Sequence, residues 1–177
     1  HSGLNWQKAE NILKSAIAKD PNFITAKVLL NSGFANNTDR KILSDIYNND
    51  LEKVSEMEAI FIKGWYEAAS GEGKEARETF KDLTTKYPDI STFWLHSGIL
   101  KSGGRSENIN EAISDLKKCI EVDPNNYGAN AYLMAKHMVV GTLGNMLPVE
   151  ERDLEIAKMH IDRMIEIDPN NPYGPTY

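Results

Sequence analysis

Apolar residues recur along most of the chain at three- and four-residue intervals, the spacing of a helix face turned to a core. In "EAISDLKKCI", Ala112, Leu116, Cys119 and Ile120 fall on one such face. The spacing predicts helices near 4–20, 24–36, 39–49, 53–70, 74–87, 91–102, 107–123, 127–143 and 149–167.

The helices end on a repeated joint. "AIAKDPNF", "LTTKYPDI", "CIEVDPNN" and "MIEIDPNN" share one grammar. In each case an Ala stands twelve residues before the Pro: Ala9 and Pro21, Ala76 and Pro88, Ala112 and Pro124, Ala157 and Pro169. A bulky apolar residue follows each Ala four positions on: Leu13, Phe80, Leu116 and Ile161. The Pro disfavours helical geometry in the residue before it, so Asp20, Tyr87, Asp123 and Asp168 mark helix ends. The Asn or Asp after each Pro can turn the chain or cap the next helix. Upstream, Gly64 and Gly98 precede tight turns at Gly71-Glu72-Gly73 and Gly103-Gly104, and then Ala76 and Ala112. Each unit therefore reads as helix, turn, helix, Pro joint. Asn108 with Glu111 gives a capping-box-like start to its helix.

This pattern resembles the tetratricopeptide repeat family, whose unit of about 34 residues carries an aromatic, a Gly, a later Ala-x3-Phe and a closing Pro. Trp94 and Gly98 match one copy; Gly64, Ala76, Phe80 and Pro88 match the one before it. Midway between Pro21 and Pro88 the expected joint has Ser55 and no Pro, and Leu43 and Tyr47 replace the Ala and Phe. Met134 stands where the last copy should carry Gly. The resemblance implies an all-α fold, a right-handed superhelix (α-solenoid) of antiparallel helix pairs with about four units plus a leading helix. It implies one domain over residues 1–177, with units near 1–22, 23–52, 53–89, 90–125 and 126–170 and the start of another at 171–177. Neither end reads as a capping helix, so a fragment or processed part of a longer chain is expected.

The resemblance also implies a concave surface lined by first helices, which holds a peptide or partner helix. The positions facing it would be Phe61, Trp65, Leu95, Ile99, Ala131, Ala135 and Met138. None is basic, and Lys63, Lys101 and Lys136 fall on other faces. A carboxylate clamp like that of the chaperone-binding members is therefore disfavoured. The alternative for this stripe is burial by inter-repeat packing. Pro88 and Pro124 are 36 apart, and Pro124 and Pro169 are 45 apart. The extra length falls around Gly141–Asp153, where Pro148 suits a helix's first turn with Glu150 and Glu151 at its positive end. That insertion is either a longer loop or a contact loop presenting Met146 and Leu147.

Composition narrows the function. A net charge of −6 and a pI near 5.3 argue against nucleic acid. No apolar run reaches the ~18 residues of a membrane span. Cys119 is alone, so no internal disulfide forms, and its face predicts core packing rather than nucleophilic chemistry. His96, His137 and His160 lack metal-ligand spacing, and His160 adjoins the apolar stripe of its helix. No phosphate loop, nucleophile elbow or dinucleotide fingerprint occurs. Asn36-Asn37-Thr38 matches a glycosylation acceptor, a pattern common by chance. The expectation is a non-catalytic scaffold for a protein or peptide partner, without metal or cofactor. Self-association and an accessory domain of a larger enzyme or of a secretion or assembly complex are the alternatives. Nothing in the residues assigns a compartment.

Overall fold

The computed structural model describes residues 6–33, 36–103, 109–138 and 146–170. Among these residues the regular elements are all helical. They are α1 (Trp6–Lys19), α2 (Ile24–Asn31), α3 (Asn37–Asn49), α4 (Glu56–Ala69), α5 (Gly73–Lys86), α6 (Ser91–Ser102), α7 (Ile109–Val122), α8 (Tyr127–His137) and α9 (Leu154–Ile167). Short 3-10 turns occupy Leu51–Lys53 and Val149–Glu151. The chain forms two compact units, Trp6–Leu83 and Thr84 onward.

The recurring joint has a common construction. The backbone N–H of Phe23, Ile90 and Asn126 each donates to the carbonyl three residues back, closing one turn around the Pro. At two joints the Asp before the Pro tightens that turn. Asp20 Oδ1 accepts the Asn22 N–H at 2.9 Å, and Asp123 Oδ1 accepts the Asn125 N–H at 3.0 Å. These are Asx turns, which give the backbone a partner outside the helix ladder. Asn126 then caps α8, its Oδ1 accepting from the Ala129 N–H at 3.0 Å. At the middle joint the Trp94 indole N–H donates to the Pro88 carbonyl at 2.8 Å.

In the first unit α1 packs on α2, α2 on α3 and α4, and α3 on α4. The joint that lacks Pro is replaced by a complete capping box. Ser55 Oγ accepts the Glu58 N–H and Glu58 Oε2 accepts the Ser55 N–H. Glu58 also accepts from Thr25 Oγ1 at 2.8 Å, tying α4 to α2. These hydrogen bonds, from the Ser55 side chain first, hold the Glu58 carboxyl below its usual pKa. Leu43, at the degenerate Ala position, is buried, and Tyr47 stacks flat on Tyr66 at 4.1 Å between ring centroids. The predicted helix 24–36 ends early, at Asn31. Asn31 Nδ2 donates to the Lys27 carbonyl and Ser32 Oγ to the Leu29 carbonyl, competing with the helix ladder. Asn36 Oδ1 caps α3 by accepting from the Thr38 and Asp39 N–H groups.

Gly64 sets the closeness of α4 and α5. A Cβ there would lie 2.6 Å from Phe80 Cε2. In the second unit the same contact recurs: a Cβ at Gly98 of α6 would lie 2.7 Å from Leu116 Cγ of α7. Both bulky partners sit four residues after the repeat Ala, and Ala76, Phe80, Ala112 and Leu116 are sealed from solvent. Ala157 is buried too, whereas Ala9 is exposed.

In the second unit α6 packs on α7, α7 on α8 and α8 on α9. Leu116, Cys119, Ala129 and Leu133 form its core, with Trp94, Leu95, Ile113 and Ile120 against it. A fully buried leucine such as Leu116 or Leu133 contributes about 1.5–3 kcal/mol. The predicted helix 149–167 is broken. Pro148 precedes the short turn Val149–Glu151, and α9 starts only after Asp153, whose Oδ1 accepts from the Glu155 and Ile156 N–H groups. The predicted helix 127–143 ends at His137, and Met138 is extended. The expected capping residue Asn108, the helix extensions at 34–35 and 139–143 and the expected unit start at 171–177 lie outside the described residues.

Candidate functional site

The sequence-predicted groove residues fall in different environments. In the first unit Phe61 and Trp65 are 3% and 5% exposed. Each meets Phe80 edge to face at 5.8 Å between centroids, and each meets the other at 6.4 Å. They form an aromatic core around the Gly64 contact. In the second unit α6 and α8 touch; Leu95 and Ile99 lie on α6, Ala131 and Ala135 on α8, and Met138 follows the end of α8. Ala131 and Ala135 are buried; Leu95, Ile99 and Met138 are half-buried. Leu95 also packs beside Gly128, where a Cβ would stand 3.3 Å from its Cδ2. The partly open apolar residues of this face are therefore Leu95, Ile99 and Met138.

Of the two loop positions, Leu147 is the one seen to tie the loop to the helices. Leu147 is buried, its N–H donates to the Lys136 carbonyl at 3.1 Å, and its own carbonyl accepts from Arg152 Nε at 2.8 Å. Met146 beside it is half-buried. The returning chain thus satisfies a carbonyl at the open end of α8.

Polar contacts inside three helix pairs share a register that the apolar pattern conceals. Thr79, Asp115 and His160 each stand three residues after the repeat Ala, and all are buried. Thr79 Oγ1 donates to Glu67 Oε2 at 2.6 Å across α4 and α5. Asp115 Oδ2 accepts from Ser97 Oγ at 2.6 Å and from Lys101 Nζ at 2.7 Å across α6 and α7. His160 Nδ1 lies 2.9 Å from Asn130 Oδ1 across α8 and α9. The signal in the sequence was a polar residue recurring on the apolar face. In the last pair Asn130 meets His160 while His137 meets Asp153, so the two helices run antiparallel.

The last pair holds several of the perturbed titratable groups of the second unit. Asn130 Oδ1 can only accept, so His160 Nδ1 carries the proton. Burial, reinforced by the positive neighbours His137 and Lys117, pushes the His160 pKa down to about 4. His137 Nδ1 accepts the Asp153 N–H at 3.2 Å, and burial lowers its pKa as well, Asp153 partly opposing. Lys136 is fully buried with its ammonium 5.9 Å from the Tyr132 ring centroid, and burial pushes its pKa down to about 8. His96 is likewise held down at about 4 by burial. Cys119 is sealed; burial, then the Asp123 carboxylate, pushes its thiol up to about 12. Such a thiol packs and does not attack.

Between the end of α7, the α8 start and the outer side of α9 runs a groove of about 530 Å³. Ile120, Pro124 and Met159 are its apolar walls, and Asn130 and His160 lie at its inner edge. Arg163 crosses it, donating to Asn125 Oδ1 at 2.6 Å and to the Pro124 carbonyl at 3.3 Å. The sequence pattern did not mark this groove, because its wall joins residues 39 positions apart.

Among the described residues no group of three or more His, Cys, Asp or Glu side chains could hold a metal ion. No described helix is long and apolar enough to cross a membrane. No protein-family model matches the chain, and no curated protein matches it either.

Proposed function

We propose that the chain is a non-catalytic protein-interaction scaffold of the tetratricopeptide kind, a right-handed superhelix of helix pairs that holds a peptide or partner helix on an apolar face. The observation that carries this is the repeated helix-pair contact. Gly64 against Phe80 and Gly98 against Leu116 are one device used twice, at the register of the repeat Ala. Chains built from such units bury their cores between neighbours and leave extended faces to partners. The contact face we favour is formed by Leu95 and Ile99 of α6 and Met138 just past α8, all half-buried, with Ala131 and Ala135 of α8. Phe61 and Trp65, packed on Phe80, serve the core instead. Capture by the native chain beside Ile99→Lys plus Met138→Lys tests it, with circular dichroism to verify equal helicity. A partner lost only in the variant supports the face; partners retained equally remove it.

Self-association is the second reading, and α9 favours it. Leu154 is 61% exposed, whereas Ile109, three residues before its own repeat Ala in α7 just as Leu154 is in α9, is 5% exposed. Ile165 likewise repeats the register of Ile120, which packs on the core. Sedimentation of the native chain beside Leu154→Lys separates the two readings, since a concentration-independent monomer in both excludes assembly through α9.

A further inference from the structure

The groove beside α9 presents acceptors and apolar walls, and its chemistry selects a ligand. His160 is 4% exposed, yet it lines this groove. Its Nδ1–H is committed to Asn130 Oδ1, and Asn130 Nδ2 in turn donates to the Asn126 carbonyl at 2.9 Å. The remaining ring nitrogen, Nε2, makes no hydrogen bond among the described residues. In the neutral ring that nitrogen is a lone pair, so Nε2 accepts and does not donate. A carboxylate or phosphate finds no donor at Nε2.

The rim points the same way. Glu155, Asp162 and Glu166 face Lys158 and Arg163, an excess of one negative charge. Lys158 pairs with Asp162 at 2.6 Å, and Arg163 with Glu166 at 2.7 Å. Arg163 is further spent on the Pro124–Asn125 joint. The Glu155 carboxylate makes no ion pair among the described residues. Ile120, Pro124 and Met159 offer apolar surface for an aliphatic stem. A stem ending in a cationic donor satisfies all three features, because Lys and Arg lay their methylenes on apolar surface while the head seeks acceptors. The volume, about 530 Å³, holds such a side chain with its flanking residues.

We propose that this groove binds a lysine or arginine side chain of a peptide segment, its donor on His160 Nε2 and its charge against Glu155. The site is separate from the α6 and α8 face, so either can fail without the other.

The test uses capped tripeptides, Gly-Arg-Gly and Gly-Lys-Gly, titrated into the whole chain at neutral pH. The readout is the His160 imidazole nitrogen resonances. A saturating shift of Nε2 with either peptide is expected, together with a Kd about two- to fivefold weaker in Glu155→Gln, the size of an exposed ion pair. Glu155 is exposed, so that variant keeps its fold. An absent His160 shift overturns the proposal. So does an equal response to capped Gly-Gln-Gly or Gly-Glu-Gly, or an affinity unchanged by Glu155→Gln.

Discussion

Replacing Gly98 by Ala tests the closest contact of the second unit. The added Cβ would meet Leu116 Cγ at 2.7 Å, Leu116 Cδ2 at 2.9 Å and the Ala112 carbonyl oxygen at 3.2 Å. Carbon atoms rest about 3.5–4 Å apart, so α6 and α7 must part by roughly 1 Å or Leu116 must leave its rotamer. Leu116 is fully buried and has no solvent to swing into. Overpacking of this kind costs about 1–3 kcal/mol. Ala gains about 1 kcal/mol over Gly in helix propensity. With a backbone atom among the clashing partners the upper part of the range applies, and the net is a loss of about 1–2 kcal/mol. Leu116→Ala alone should cost about 2–5 kcal/mol by leaving a cavity. In the double variant the new methyl enters the space that Leu116 vacates. The pair should therefore be less destabilised than the two single losses together, by about 1–2 kcal/mol. Urea denaturation followed by circular dichroism measures all four proteins. A Gly98→Ala chain more stable than the native one, with strictly additive losses, would refute the close approach.

Four further outcomes follow from the same contacts. Gly71→Ala meets no atom within 4 Å but sits at a φ of 85°, so it should cost about 1 kcal/mol through backbone strain alone, measured by the same denaturation. Ser55→Ala removes the capping box and should cost about 1 kcal/mol, with α4 amides losing hydrogen-exchange protection first. His160 has a folded pKa, about 4, below its ordinary 6.5, so the fold favours the neutral ring. Its contribution is present above pH 6.5 and is lost as pH falls toward 4, about 3 kcal/mol in all. His160→Gln cannot protonate, so its stability should fall less steeply across that window; parallel curves would contradict the assignment. Cys119, sealed and held protonated, should resist iodoacetamide in the native chain and react at once in urea; fast native labelling would show an open core.

The helices were legible because their determinants are local. The period of the Ala112, Leu116 and Cys119 face, the Pro of each joint and the Asp and Asn around it act within a few residues, and Ser91–Ser102 is found where the pattern placed it. Breaks went unread where side chains compete with the ladder, at Asn31 and Ser32, or where a distant group holds a cap. Asp153 starts α9 instead of continuing a helix from Pro148, and its N–H is held by His137 from the neighbouring helix.

The candidate site was less legible. Period alone places Phe61 and Trp65 on a second apolar stripe, but only the position of Phe80 determines that both are enclosed. The registered contacts of Thr79, Asp115 and His160 likewise depend on which residue a neighbouring helix brings opposite them. By itself the sequence determined where helices form and how the joints turn, since backbone sterics and local hydrogen bonds set those. Tertiary structure alone decided which apolar faces are covered and which nitrogen of His160 meets Asn130, because burial and desolvation depend on residues brought together from afar.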